Sequence, residues 1–392
     1  MGNCVRTCTE EIKAEGLKSI DHQVDYVHSL PNKKKEEDRD KFYQENILKI
    51  INIQAIRRGN RGRKEYEKLL FVMRKESRYF RLEESQETIQ KGKVYNFDQP
   101  RATKKYTYKS GAVYEGEWKG GFRDGIGTQK WPDGAIYEGS WRFNKAEGKG
   151  KFTHVDGDIY EGDWVDNKAN GFGVYNHNNG ATYHGYWKND LQDGQGSERW
   201  TDNSEYEGEY QKGKKHGYGV YKWNDGSIFE GQWFMNKICG VGIYSWLDGR
   251  KYRGEWIDNN MGGFGFYLWK DGRKFYGQYK NDKKHGYGIY KWADGRTYQG
   301  SWAFGKQHGL GRYTMPGAGV DKYGIWENGR RIEWLDSEVV QNIKDGDTSW
   351  TKYFRNNDSA KHIDIQAGFT KPKWFDTKLL EVSQKIGKLG SF

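Results

Sequence analysis

The 392-residue chain is short of the materials from which an ordinary globular core is built. Only 34% of its residues are hydrophobic, and the mean hydropathy is −1.08. So low an aliphatic content argues against a thick two-layer core. The three cysteines, Cys4, Cys8 and Cys239, are too few for a disulfide framework. No apolar run approaches the ~18 residues that a membrane span needs, and no secretory signal peptide is recognisable. A cytoplasmic location is the expectation. Clustered charge is missing as well. The net charge of +11 is spread thinly over the chain, which excludes the basic stripe of a nucleic-acid binder and leaves weak attraction to anionic surfaces.

What is present is aromatic and glycine residues, at 16% aromatics and 53 glycines. They are unevenly placed: 14 of 17 tryptophans and 44 of 53 glycines fall within 101–330. Abundant rings exclude simple disorder, and rings with glycine point to a repetitive β structure.

Stepping by 23 residues from Tyr114 lands on an aromatic residue nine times, as far as Tyr298, with Phe229 and Phe275 replacing tyrosine. Two residues on, glycine stands in all nine units, from Gly116 to Gly300. Four residues on come seven tryptophans and two tyrosines, Tyr210 and Tyr279. Paired glycines follow, from Gly125 and Gly127 to Gly309 and Gly311, and Gly324 with Trp326 marks a partial tenth unit. Alternation at period two puts Tyr114, Gly116 and Trp118 on one face of a strand and Glu115 and Glu117 on the other. Each unit therefore predicts two short strands, with rings lying over glycines. Recurrent Asp-Gly pairs predict two-residue turns. Asn203, which replaces one of these glycines, tolerates the same conformation.

The pattern Y-x-G-x-W…G-x-G…D-G over about 106–330 closely resembles the MORN-repeat family. The resemblance implies a mainly β fold: an elongated, single-layer antiparallel sheet of about ten stacked hairpins, contacting only their neighbours. Within it, the Tyr, Trp and Gly positions are read as packing residues. His216, His285 and His308 are read as solvated loop residues rather than metal ligands, and Lys214–Lys215 and Lys283–Lys284 as solvated pairs within reach of headgroups.

The flanks divide into 1–32, a flexible N-terminus; 33–100, a charged helical segment; and 331–392, a C-terminal cap or tail. In the helical segment, Ile53-Gln54-Ala55-Ile56-Arg57-Arg58-Gly59-Asn60-Arg61-Gly62-Arg63 matches every fixed position of I-Q-x-x-x-R-G-x-x-x-R. This resembles the IQ motif, a docking helix for calmodulin or a calmodulin-like light chain. The resemblance implies that Ile53 enters a lobe of the partner and Gln54 bonds an interlobe carbonyl. Gly59 would admit the second lobe, and Arg58 and Arg63 would meet acidic residues. The alternative is a basic helix packed on the array. Met1-Gly2-Asn3-Cys4 resembles a myristoylation signal, with Cys4 and Cys8 open to palmitate, although Arg6 stands where the pattern asks for Ser or Thr. At the C-terminus, Leu379, Leu380, Val382, Ile386 and Leu389 predict one short amphipathic helix capping the last hairpins.

No phosphate-binding glycine loop, zinc spacing or nucleophile motif is present, and the flanks are too short for a kinase domain. The expectation is a non-enzymatic scaffold without cofactor or metal. It would carry a calmodulin-like subunit to a cytoskeletal or ciliary (axonemal) assembly. The alternative is an acylated membrane adaptor whose array touches anionic phospholipids.

Overall fold

A computed structural model of the chain describes residues 99–317, 321–349 and 371–389, together with Tyr79, Phe80, Glu84, Glu87 and Thr88. The mainly β expectation holds. Twenty-one strands form an open antiparallel sheet of stacked hairpins. The chain divides into two compact units. One, Arg61–Asn236, carries the strands from β1 (Ala102–Thr107) to β12 (Ile228–Phe234). The other, Lys237 onward, carries β13 (Lys237–Ser245) to β21 (Arg330–Leu335) and two helices, α1 (Ser337–Lys344) and α2 (Lys373–Leu389).

The repeat produces the same local geometry in both units. In β2 (Val113–Lys119), Tyr114, Gly116 and Trp118 are buried while Glu115 is exposed. The tyrosine ring lies over the glycines: a Cβ on Gly127 would fall inside the Tyr114 ring, and one on Gly219 inside the Tyr206 ring. Tyr114 Oη donates to the carbonyl of Glu117 at 3.0 Å, and the same bond recurs from Tyr137, Tyr160, Tyr183, Tyr206, Tyr252 and Tyr298. Phe229 and Phe275 keep the ring and have no hydroxyl to donate. Trp141 Nε1 donates to the carbonyl of Gly127 at 3.1 Å, and Trp164, Trp187, Trp233 and Trp302 repeat that bond one unit on. Each ring thus has its polar atom satisfied by backbone, as burial requires. Each tyrosine also meets the tryptophan of its own and the next unit edge-on, as Tyr137 does Trp141 and Trp164 at 4.9 and 5.1 Å. The packing residues are therefore as expected.

The turns differ from expectation. The Asp-Gly pairs do not form two-residue turns. Gly134 N bonds Trp131 O and Trp131 N bonds Ala135 O, leaving three residues in the loop with only Gly134, at φ +97°, left-handed. This is a turn closed by a glycine bulge. Asn203 takes the same place at φ +63°. The two-residue turns lie at the opposite hairpin ends, at Phe143-Asn144, Asp166-Asn167 and their equivalents, with both φ positive. There the second residue has a further task. The side-chain oxygen of Asn144 accepts from Arg123 N at 2.8 Å, and Asn167, Asp190, Asn236, Asn259 and Asp282 each accept likewise from the preceding hairpin. The carboxylate of Glu117 accepts from Ile126 N at 2.7 Å, and Asp163, Glu209, Glu255 and Gln278 do the same in their units. These bonds take up the N–H groups freed where each glycine pair shifts register.

The C-terminal expectation is corrected in two ways. There are two described helices. α2 packs on β13, β14 (Lys251–Ile257) and β15 (Asn260–Leu268), not on the last hairpins. Its Phe375 and Val382 bury Phe264 and Tyr287, Lys378 pairs with Glu255 at 3.0 Å, and Leu380 is exposed. The last hairpins are covered by α1, whose Val340 and Ile343 cluster with Leu310 and Ile325. Asp336 caps α1 by accepting from Val339 N. Cys239 in β13 is buried and disulfide-bonded; three cysteines allow one bridge, not a framework.

Candidate functional site

The two faces of the sheet offer different surfaces. The outer face is read by the residue between the paired glycines. In the second unit this residue is Val241, Phe264, Tyr287 or Leu310, and all four are buried. In the first unit Ile126 is 63% and Phe172 48% exposed, the latter beside an exposed Tyr186 at 5.7 Å between ring centroids. The sequence pattern already separated these two sets, and the apolar run of the second unit signals the helices that cover it.

The aromatic face of the first unit is occupied by the chain itself. Phe80 lies among Trp131, Tyr137, Trp141, Phe152 and Trp164, with centroids at 5.4–6.0 Å. Trp131 Nε1 donates to the Tyr79 carbonyl at 2.8 Å, and Tyr79 Oη donates to Asp133 at 2.9 Å. Glu84 is buried. Its carboxylate accepts from Ser110 Oγ at 2.7 Å and from Gln129 Nε2 at 2.8 Å. Gln129 in turn accepts from the buried Arg123 guanidinium, which stacks 4.3 Å from the Trp141 centroid. Burial pushes the Arg123 pKa down, against the pull of Tyr108 and Glu84.

Lys215 and Lys284 occupy the place of Arg123 in later units, 92 and 161 residues on. They are not the solvated pair members expected. Lys215 Nζ sits 4.5 Å from the Trp200 centroid and 3.4 Å from Glu198, with its side chain 12% exposed. Lys284 Nζ is enclosed by Trp269, Phe275, Tyr290 and Trp302 at 4.8–5.4 Å. Burial, aided by the nearby Arg273, brings its pKa down to about 8. Around it, Arg250, Arg273 and Arg296 each lie over the tryptophan of their own unit, at 5.2–5.5 Å, and donate to the tyrosine hydroxyl of the next, at 3.2–3.4 Å. Each is also held by its turn aspartate at 2.7 Å.

The histidines are likewise not loop residues. His216, His285 and His308 lie in β11 (Lys214–Lys222), β17 (Lys283–Lys291) and β19 (Lys306–Thr314), and His308 is buried. Burial lowers the pKa of His285 and His308. Among the described residues no His, Cys, Asp and Glu group is placed to hold a metal. A polar cluster stands at Asp158, which accepts from Tyr175 Oη at 2.9 Å and Asn178 N at 2.8 Å and lies 3.2 Å from His177 Nδ1. Burial alone would raise its pKa; the bonds from His177, Asn178 and Tyr175 outweigh burial and hold it at about 2. This cluster ties one hairpin to the next and leaves no open nucleophile beside a base.

The predicted calmodulin-docking residues Ile53, Gln54, Arg58, Gly59 and Arg63, and the predicted acylation residues Gly2, Cys4 and Cys8, lie outside the described residues. No described helix is long and apolar enough to cross a membrane.

Comparison with known proteins agrees with the repeat geometry. No curated protein matches the chain. Among solved structures, the SAS-4 (dCPAP) TCP domain in complex with a proline-rich motif of Ana2 (dSTIL), from Drosophila melanogaster, is 12% identical. That match covers 48% of this chain and 97% of that one, at a TM-score of 0.26. A virginiamycin B lyase from Staphylococcus aureus is 10% identical over 63% of this chain and 88% of its own, at a TM-score of 0.13. At such scores neither likeness carries an argument. The MORN-repeat model matches nine consecutive segments: 114–136, 137–159, 160–182, 183–205, 206–228, 229–249, 252–272, 275–295 and 298–317. Together they make up just over half of the 392 residues. With rings, glycines and turns recurring in register through those same segments, the chain belongs to the MORN-repeat family.

Proposed function

We propose that this MORN-repeat chain is a non-enzymatic scaffold that carries a calmodulin-like subunit on residues 53–63 and docks through its array to a cytoskeletal or ciliary assembly. The observation that carries the scaffold reading is the occupied aromatic face: Phe80 among five rings displays a surface suited to holding a peptide segment. The calmodulin part is supported by the unbroken IQ spacing from Ile53 to Arg63, a helix-in-groove mode of recognition. Pull-down of the full chain with calmodulin, with and without calcium, against the Ile53→Ala/Arg58→Ala double variant, tests it. Capture lost in the variant is the expected result. Equal capture of both, or of neither, would remove the calmodulin assignment.

A second reading is an acylated adaptor on anionic membranes. It rests on Gly2, Cys4 and Cys8 and on the net charge of +11. One acyl chain gives marginal binding and two give stable anchoring. Flotation of the acylated chain on phosphatidylserine vesicles should fall for Gly2→Ala; unchanged flotation would eliminate the anchor.

A further inference from the structure

The aromatic face carries a cation at the same repeat position three times, and only two of the three are answered by an acid. Arg123 is linked through Gln129 to Glu84 of the segment lying on that face. Lys215 is paired with Glu198 of its own array. Lys284 has rings on four sides and no hydrogen-bond or carboxylate partner among the described residues. A desolvated ammonium over aromatic faces gains from the rings, yet leaving it without an anion has a desolvation penalty that an acid would offset. The tryptophans give the same contrast. Trp131, beneath Tyr79 and Phe80, is 7% exposed, whereas its equivalents Trp246, Trp269 and Trp292 are half-exposed. The second unit therefore has the rings and the cation of an occupied face without the occupant.

From this geometry we infer that the face around Lys284, Trp269 and Trp292 is a docking site for a partner peptide with a large aromatic residue and, four positions later, a carboxylate. The first unit supplies the template, because Phe80 and Glu84 are spaced in that way and fill the corresponding place. The aromatic side chain enters beside Trp269 and Trp292, and the carboxylate pairs with Lys284. The inference takes from the scaffold reading only that the array is a binding surface. Calmodulin capture on residues 53–63 can fail without touching it.

The probe is a fluorescent peptide spanning residues 76–88, titrated into the full chain, whose first-unit face is already filled in cis. Saturable binding is expected, about tenfold weaker for Lys284→Met, restored by Lys284→Arg, and unchanged by Lys215→Met. A peptide with Glu84→Gln should bind the wild-type chain about as weakly as the native peptide binds Lys284→Met, with no further loss when both changes are combined. Far-ultraviolet circular dichroism establishes that each variant is folded. Equal binding to wild type and Lys284→Met overturns the assignment. So does binding lost only on Trp131→Ala, which would mean exchange with the segment already in the first unit. Concentration-dependent self-association of the chain, abolished by Lys284→Met, would place a second copy there and also overturn it.

Discussion

At the scale of the residue, the repeat is governed by what a Cβ would strike. Gly127 is glycine because the Tyr114 ring occupies the space of a side chain; at Gly272 nothing stands within 4 Å and only φ, at +87°, calls for glycine. Gly127→Ala should therefore destabilise the fold by about 1–3 kcal/mol through overpacking, and Gly272→Ala by about 1 kcal/mol through the left-handed backbone alone; urea unfolding of the two variants measures the difference. Phe143 breaks the local rule in the other direction, as an aromatic residue at φ +48° whose side chain is 51% exposed. Phe143→Asn should raise stability by about 1 kcal/mol, read as an increase in melting temperature. Lys284 makes stability depend on pH with a definite sign. Its pKa is lowered to about 8 from 10.5, so between those values the unfolded chain binds more protons than the folded one. Stability gains from this residue as pH rises from about 8 to 10.5, and Lys284→Met should remove that gain from the melting-temperature profile. Asp158 acts at the acid end. Its pKa is held at about 2 against 3.8, so its contribution is complete above pH 4 and disappears as pH falls toward 2.

At the scale of the element, a single hairpin has too little apolar surface to stand alone, and each is stapled to the next by a turn Asn or Asp and by a tryptophan indole. Much of this was legible beforehand. The 23-residue period showed which residues are rings and which are glycines, and hence where each strand lies. The turn classes were misassigned, because Asp-Gly suits both a two-residue turn and a glycine bulge, and the choice depends on the hydrogen bond between Trp131 and Ala135 across the loop. The staples were missed because an Asn in a turn looks complete from its backbone conformation; that its side chain reaches an N–H 21 residues back is visible only when hairpins stack. The helix α2 belongs here too. Phe375→Ala should cost about 3 kcal/mol and free the helix from Phe264 and Tyr287, detected as increased binding of an apolar dye and loss of α2 amide protection.

At the scale of the whole molecule, the strand contacts run almost entirely between neighbours in sequence. A chain wired in this way responds locally to damage. Gly127→Ala should speed amide exchange in the hairpins around Tyr114 and Tyr137 while leaving β17 and β19 unchanged; uniform acceleration throughout the described strands would argue against nearest-neighbour coupling. The broad functional class was legible at this scale, since a repeat without a phosphate loop, metal spacing or nucleophile describes a scaffold. The ligand-bearing residues were less so. Lys215 and Lys284 read as solvated charges because lysine in a polar sequence ordinarily is.

The sequence by itself determined the strand period, the ring-over-glycine packing, the mainly β fold and the family, because each depends on interactions within one unit and its neighbour, and those recur every 23 residues. The calmodulin and acylation motifs are also carried by sequence alone. Tertiary structure decided what covers each face: α1 and α2 on the outer face of the second unit, Tyr79 and Phe80 on the aromatic face of the first. It also decided that Lys284 is enclosed by rings without an acid. Those outcomes depend on contacts between a repeat and chain far outside it, such as Phe80 with Trp164 or Phe375 with Phe264, and no periodicity encodes such a contact.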